Sequence, residues 1–130
     1  MADSDSALRV MIVGDDYLST QEVERYLTAV GHDVVKIVKT ADEAMASATL
    51  HHPDFIIMDV ELAGPLDGVD AAREIFSKLG IRCLFASSQV DASTRTKAEA
   101  VKPLGWLRKP YSLENFLLVI STALLRLGRP

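Results

Sequence analysis

Four consecutive apolar residues, Phe55-Ile56-Ile57-Met58, stand between Pro53-Asp54 on one side and Asp59 on the other. A run this short, without polar alternation, is the pattern of a strand covered on both faces, as at the centre of a parallel sheet. Asp59 then falls at the strand's carboxyl end, the edge at which open α/β sheets place their ligands. The rest of the chain has to cover two faces of that strand and surround a carboxylate at its end.

Leu8-Arg9-Val10-Met11-Ile12-Val13 reads as a first strand, broken by Gly14 and followed by Asp15-Asp16. Val23, Tyr26, Leu27 and Val30 recur at helical spacing, with Gly31 as the stop. Val34, Val35, Ile37 and Val38 make a β-branched second strand. Thr40-Ala41-Asp42-Glu43 has the form of a capping box opening a helix with Ala44, Met45, Ala48 and Leu50 inward. His51 and His52 close that helix; adjacent histidines point apart, so they are read as solvated residues and not as a metal pair. Past Asp59, Gly64-Pro65 marks a loop, and Asp67-Gly68-Val69-Asp70 starts a third helix with Val69, Ala72, Phe76 and Leu79 inward and Gly80 as its stop. Ile81, Cys83, Leu84, Phe85 and Ala86 form a fourth strand ending in Ser87-Ser88. Residues 90–101 carry mostly alanine among polar side chains, so this helix buries little area and is the most weakly held. Leu104, Trp106 and Leu107 give a short fifth strand running into Arg108-Lys109-Pro110. Ser112-Leu113-Glu114 opens a last helix with Phe116, Leu117, Ile120, Leu124 and Leu127 on one face, leaving Leu118 and Leu125 off the stripe.

Five strands alternating with five helices predict an α/β fold, a doubly wound parallel sheet. Right-handed crossovers lead to the order 2-1-3-4-5, with its reversal between the first and third strands. That order carries Asp15 and Asp16 beside Asp59 and brings in Ser87 and Lys109 from the ends of the fourth and fifth strands. Two adjacent carboxylates at a strand end repel unless a cation sits beside them, and a metal is the simplest cation; the alternative for either acid is a cap on the next helix.

The totals narrow the class. With 130 residues, 48% hydrophobic, the chain has the size of one globular domain, and residues 7–127 are expected to form it, between a flexible tail at 1–6 and a short tail at 128–130. A net charge of −4 without any run of Lys and Arg among aromatics argues against direct nucleic-acid binding. Cys83 is alone and lies in an apolar stretch, which suits a reducing compartment. No export signal opens the chain, and the apolar run from Phe116 to Leu125 is far shorter than the ~20 residues of a membrane span. A cytoplasmic protein without membrane contact is expected.

A carboxylate nucleophile, further carboxylates, a hydroxyl and a lysine at one sheet edge suit phosphoryl transfer. Asp15 and Asp59 offer the hard oxygen ligands that Mg²⁺ prefers, and the free oxygen of Asp59 can attack phosphorus to give an aspartyl phosphate. The Lys109 ammonium can neutralise charge on the transferred group, and Ser87 can donate a hydrogen bond to it.

The chain strongly resembles the receiver domain of two-component response regulators, a flavodoxin-like fold, from about Leu8 to Leu127. The matching elements are Val13-Gly14-Asp15-Asp16, Pro53 to Asp59, Asp67-Gly68-Val69-Asp70-Ala71-Ala72-Arg73, Phe85-Ala86-Ser87-Ser88 and Trp106-Leu107-Arg108-Lys109-Pro110. The resemblance implies that Asp59 is the phosphoacceptor, loaded from a sensor histidine kinase or a histidine phosphotransfer protein. It implies a Mg²⁺ site at Asp15 and Asp59, completed by the backbone carbonyl of Glu61. Gly14 stands where many members carry an acid, which leaves Asp15 with Asp16 as the acidic set. By the same resemblance Ser87 and Trp106 are the switch pair, Lys109-Pro110 is joined by a cis peptide, and Glu61 and Gln89 occupy positions that influence phosphate lifetime. The expected output is a protein target or homodimer met through the fifth strand and the last two helices.

Two other readings use the same residues. A phosphohydrolase working through an aspartyl phosphate would need a second acid, for which Glu61 is the candidate, and a cap over its substrate. A receiver-like binding module that is never phosphorylated is the other, suggested by Gly14. The receiver reading is of a regulatory domain, with at most self-catalysed gain and loss of phosphate. Gly128-Arg129-Pro130 follow the last helix directly, so the chain is expected either to signal through contacts alone or to be part of a longer polypeptide.

Overall fold

A computed structural model describes residues 7–128; the expected tail at 1–6 and residues 129–130 lie outside the described residues. Strands and helices alternate along the chain: β1 (Arg9–Val13), α1 (Tyr17–Ala29), β2 (Asp33–Val38), α2 (Ala41–His51), β3 (Phe55–Asp59), α3 (Gly68–Leu79), β4 (Cys83–Ser87), α4 (Ala92–Glu99), β5 (Gly105–Arg108) and α5 (Leu113–Arg126). The five strands form one parallel sheet in the order β2-β1-β3-β4-β5, as the sequence predicts.

Strand alternation sorts the core into two layers. Val10, Ile12, Phe55, Ile57, Leu84 and Ala86 pack with Val23 and Leu27 of α1 and with Phe116, Ile120 and Ala123 of α5. The intervening residues Met11, Val13, Ile56, Met58, Cys83 and Phe85 pack on the other face with α2, α3 and α4. Successive strand side chains point to opposite faces, so the apolar run Phe55–Met58 feeds both layers at once. Cys83 is fully buried there, and burial pushes its thiol up to about 12.

The caps are where local chemistry put them. Thr40 and Glu43 form the expected capping box on α2, and Asp67 with Asp70 forms one on α3. Gly80 ends α3 with φ of 72°, in the left-handed region where glycine has no Cβ penalty.

Several inward assignments differ. Leu50 is 77% exposed: it lies two residues past Ala48, about 200° around the helix axis from the buried stripe. On α3 the buried stripe runs Val69, Ala72, Ile75, and Phe76 and Leu79 are only partly buried at its margin. Ala123, not Leu124, is the fully buried residue near the end of α5. Val30, the C-cap of α1, is 44% exposed. The weakly held helix is shorter than expected, because Asp91 caps it by accepting the Thr94 N–H at 2.8 Å, and within it only Ala98 is buried. Leu118 and Leu125 are exposed, as their position off the stripe implied.

Candidate functional site

Asp59 ends the central strand and is 6% exposed. Its Oδ2 accepts a hydrogen bond from Lys109 Nζ at 2.7 Å, and its Oδ1 accepts the Glu61 N–H at 3.1 Å. Burial pushes the Asp59 carboxyl above its ordinary value, and the Lys109 ammonium works against that rise. Lys109 arrives there through sheet register. Ser87 pairs with Arg108, the Lys109 N–H donates to the Ser87 carbonyl at 2.9 Å, and the β4 partner of Asp59 is the small Ala86. The peptide joining Lys109 to Pro110 is cis.

The acids after β1 take different positions. Asp16 is the N-cap of α1: its Oδ1 accepts the Leu18 N–H at 3.1 Å and its Oδ2 the Ser19 hydroxyl at 2.9 Å. The Ser19 hydroxyl holds its carboxyl below the usual range. Capping was the alternative that the sequence left open for this residue. Asp15 is exposed in the turn after β1. Gly14 lies between the strand and that turn, and a Cβ on it would sit 3.6 Å from Asp59 Oδ2 and 3.1 Å from Thr20 Cγ2. An acid at position 14 would therefore project toward Asp59.

Among the described residues, no three His, Cys, Asp or Glu side chains gather to hold a metal by themselves. Mg²⁺ does not require such a cage: it keeps waters and binds through one or two carboxylates together with phosphate oxygens. Asp15, Asp59 and the carbonyl of Glu61 are an all-oxygen set of that kind, so the residues present fit the ion in this mode.

Ser87 is fully buried at the end of β4. Its hydroxyl meets the Glu61 carboxylate and the Gln89 backbone, and the Ser88 N–H also donates to Glu61, at 3.1 Å. Trp106 is half-buried, stacked on Phe85 with ring centroids 4.9 Å apart, and the Arg95 guanidinium of α4 lies 5.1 Å from its ring. Lys97 of α4 pairs with Asp70 at 2.6 Å, so charged side chains at its surface tie α4 to α3 and to β5 alongside the buried Ala98.

Three contributors escaped the sequence reading. Thr20 and Tyr111 line a cleft of about 20 Å³ over Asp59 and Lys109. Burial pushes the Tyr111 phenol up to about 12. Tyr111 follows the Lys109-Pro110 turn, and that adjacency was the available signal; Thr20 is one turn into α1 and had none. The third is Gly68, the first residue of α3, whose Cα lies so close to the Asp59 carbonyl that a Cβ would sit 2.0 Å from its oxygen.

The family model for the response regulator receiver domain matches residues 10–121. The transcriptional regulatory protein PdtaR of Mycobacterium tuberculosis is 35% identical over 128 residues, covering 95% of this chain. The chain spans 61% of PdtaR, less than two thirds of that relative's length. Among solved structures, the signal receiver domain of a modulated diguanylate cyclase from Desulfovibrio desulfuricans G20 superposes with a TM-score of 0.84 at 29% identity, covering 94% of this chain and 97% of that one. A LuxR-family two-component response regulator from Aurantimonas sp. SI85-9A1 also gives 0.84, at 27% identity, with 95% and 88% covered. No helix among the described residues is long and apolar enough to cross a membrane. Matched over most of its length, and with the strand order and helices of a receiver, the chain belongs to the response regulator receiver domain family.

Proposed function

We propose that the chain is a phosphoacceptor switch in cytoplasmic two-component signalling, loaded at Asp59 from a phosphohistidine on a sensor histidine kinase or a histidine phosphotransfer protein. The observation that carries this reading is the buried Asp59 carboxylate at the end of the central strand, held by Lys109 at 2.7 Å, in a chain of the receiver family. One oxygen of Asp59 attacks phosphorus in line, the P–N bond to the donor imidazole breaks, and its electron pair leaves with the imidazole. Lys109 orients the carboxylate beforehand and shifts to a phosphoryl oxygen as charge builds there. Ser87 becomes a hydrogen-bond donor to the same group. Mg²⁺, held by Asp15, Asp59 and the Glu61 carbonyl beside the capping Asp16, supplies positive charge against the phosphoryl oxygens when bound.

The response follows from what the added charge draws inward. Ser87 and Lys109 move toward it, and Trp106, stacked on Phe85 and covered by Arg95, is the aromatic positioned to respond. Because Arg95 and Lys97 hold α4 at its surface, a shift of Trp106 is felt by α4 first. The output surface is then α4, β5 and α5, where Leu118 and Leu125 are exposed for a protein target or a second copy. Gln89, whose backbone brackets the Ser87 hydroxyl, and Glu61 tune phosphate lifetime in this reading. In the phosphohydrolase alternative Glu61 would be the second acid, and its carboxylate here faces Ser87 and Ser88.

Incubation with acetyl phosphate and Mg²⁺, followed by intact-mass measurement, tests the reading. The native chain gains one phosphate and Asp59→Asn gains none. A native chain without added mass, or a mutant labelled equally, overturns it.

A further inference from the structure

Glu61 follows Asp59 by two residues, yet its carboxylate turns toward the end of β4. One oxygen, Oε2, accepts the Ser87 hydroxyl; the other, Oε1, accepts the Ser88 N–H at 3.1 Å and the Ser88 hydroxyl at 3.2 Å. The buried Ser87 Oγ also accepts the Gln89 N–H at 3.1 Å and lies 2.7 Å from the Gln89 carbonyl. A hydroxyl has one proton to give, and a carboxylate is a stronger acceptor than an amide carbonyl. Among the described residues, no hydrogen bond joins the Ser87 side chain to Asp59 or Lys109. The hydroxyl that a phosphoryl group on Asp59 would use is thus already committed to an internal anion.

Carboxylate and phosphoryl oxygens present the same thing to a hydroxyl donor, an anionic acceptor, so the two compete for Ser87. Building on the reading of Asp59 as phosphoacceptor, we infer that the Glu61 side chain is an internal plug that holds Ser87 and Ser88 in the unphosphorylated chain. Loading Asp59 displaces it, and its grip sets the barrier to loading. The Glu61 backbone N–H meets Asp59, but its carboxylate acts through Ser87 and touches no reacting atom, so the side chain has a positioning role. Simple repulsion between Glu61 and an incoming phosphoryl group would also slow loading, but without any dependence on Ser87.

The experiment follows the mass of the intact chain over time with acetyl phosphate and Mg²⁺, a reaction in which an Asp59 oxygen bonds to phosphorus as acetate departs with the electron pair of the broken P–O bond. Releasing the equivalent of one charge-assisted hydrogen bond, Glu61→Ala loads about tenfold faster than the native chain, with Glu61→Gln in between. In a Ser87→Ala background the Glu61→Ala change alters the rate by less than about twofold, because the two residues act as a unit. Without phosphate donor or Mg²⁺, hydrogen exchange at the Ser88 amide is faster in Glu61→Ala than in the native chain. Unchanged or slower loading in Glu61→Ala, a gain that persists in Ser87→Ala, or an unaltered Ser88 amide each overturns the plug while leaving a loaded Asp59 intact. A native chain and variants that all take up no phosphate overturn the phosphoacceptor reading, and the plug with it.

Discussion

Replacing Gly68 with alanine probes the tightest approach around the site. Gly68 is the first residue of α3, and a Cβ on it would lie 2.0 Å from the carbonyl oxygen of Asp59, 2.8 Å from its carbonyl carbon and 3.0 Å from Met58 Cγ. Real Cβ atoms essentially never come closer than 3.0 Å, so the start of α3 must withdraw by about 1 Å. The obstacle is backbone, and no rotamer change relieves it. Withdrawal also stretches the hydrogen bond from the Gly68 N–H to the Val60 carbonyl, 2.9 Å long. Overpacking costs about 1–3 kcal/mol and the weakened bond about 1 kcal/mol, offset by about 1 kcal/mol from the better helix propensity of alanine, for a net loss of about 2 kcal/mol. In a chain of this length that lowers Tm by roughly 7 °C, measurable by circular dichroism, and the stability loss is measurable by Trp106 fluorescence during urea unfolding. Gly64→Ala is the control: nothing lies within 4 Å of a Cβ there, and only its φ of +100° opposes the side chain, for about 1 kcal/mol. A Gly68→Ala protein within about 0.5 kcal/mol of the native chain, or a Gly64→Ala protein equally damaged, would refute the close-approach argument.

Other perturbations test separate parts of the molecule. Lys109→Met removes the cation that opposes burial of Asp59, so loading from acetyl phosphate slows about 100-fold and its pH profile moves to higher pH; an unshifted profile contradicts the ion pair's role. His32 accepts the Leu8 N–H on Nδ1 at 3.1 Å, and burial holds its imidazole below the ordinary value. The unfolded chain therefore binds the proton more readily, and the stabilisation is complete above pH ~6.5 and is lost as pH falls below it. Urea midpoints from pH 5 to 8 should show that loss in the native chain and a flatter dependence in His32→Gln, and equal slopes would count against it. Lys97→Met breaks the pair with Asp70, whose two side chains are 37% and 28% exposed. Global stability drops by less than about 1 kcal/mol, whereas the amides of α4 exchange about tenfold faster; equal protection would show that α4 is held by something else.

Much of this architecture can be read from the order of residues. Strands that alternate Val10 with Met11 and Phe55 with Ile56 assign their own side chains to two layers, because a pleated strand has a period of two. Five such strands interrupted by helical stripes leave few connected topologies, and the right-handed crossover rule selects the observed order. Asp59 and Lys109 meet for the same reason: one ends a strand, the other directly follows one, and parallel strands end together. The exposure of Leu118 and Leu125 also follows from helical period.

Periodicity is silent wherever a side chain's partner is distant in sequence or its position lies at a stripe's margin. Leu50 and Phe76 are apolar, yet the stripe passes them by. Asp16 carried both a metal and a capping reading, and in this structure its carboxylate accepts the Leu18 N–H and the Ser19 hydroxyl as the cap of α1. Glu61 sits in a loop, and its direction is set by Ser87 and Ser88, 26 and 27 residues later. Gly68 reads as an ordinary helix start, although what excludes a side chain there is the carbonyl of Asp59. By itself the chain determines which faces are buried and which residues end its strands, since both follow from local repeat and composition. Where the loop side chains turn, and how closely α3 approaches Asp59, depends on loops converging at one sheet edge, which only the tertiary structure decides.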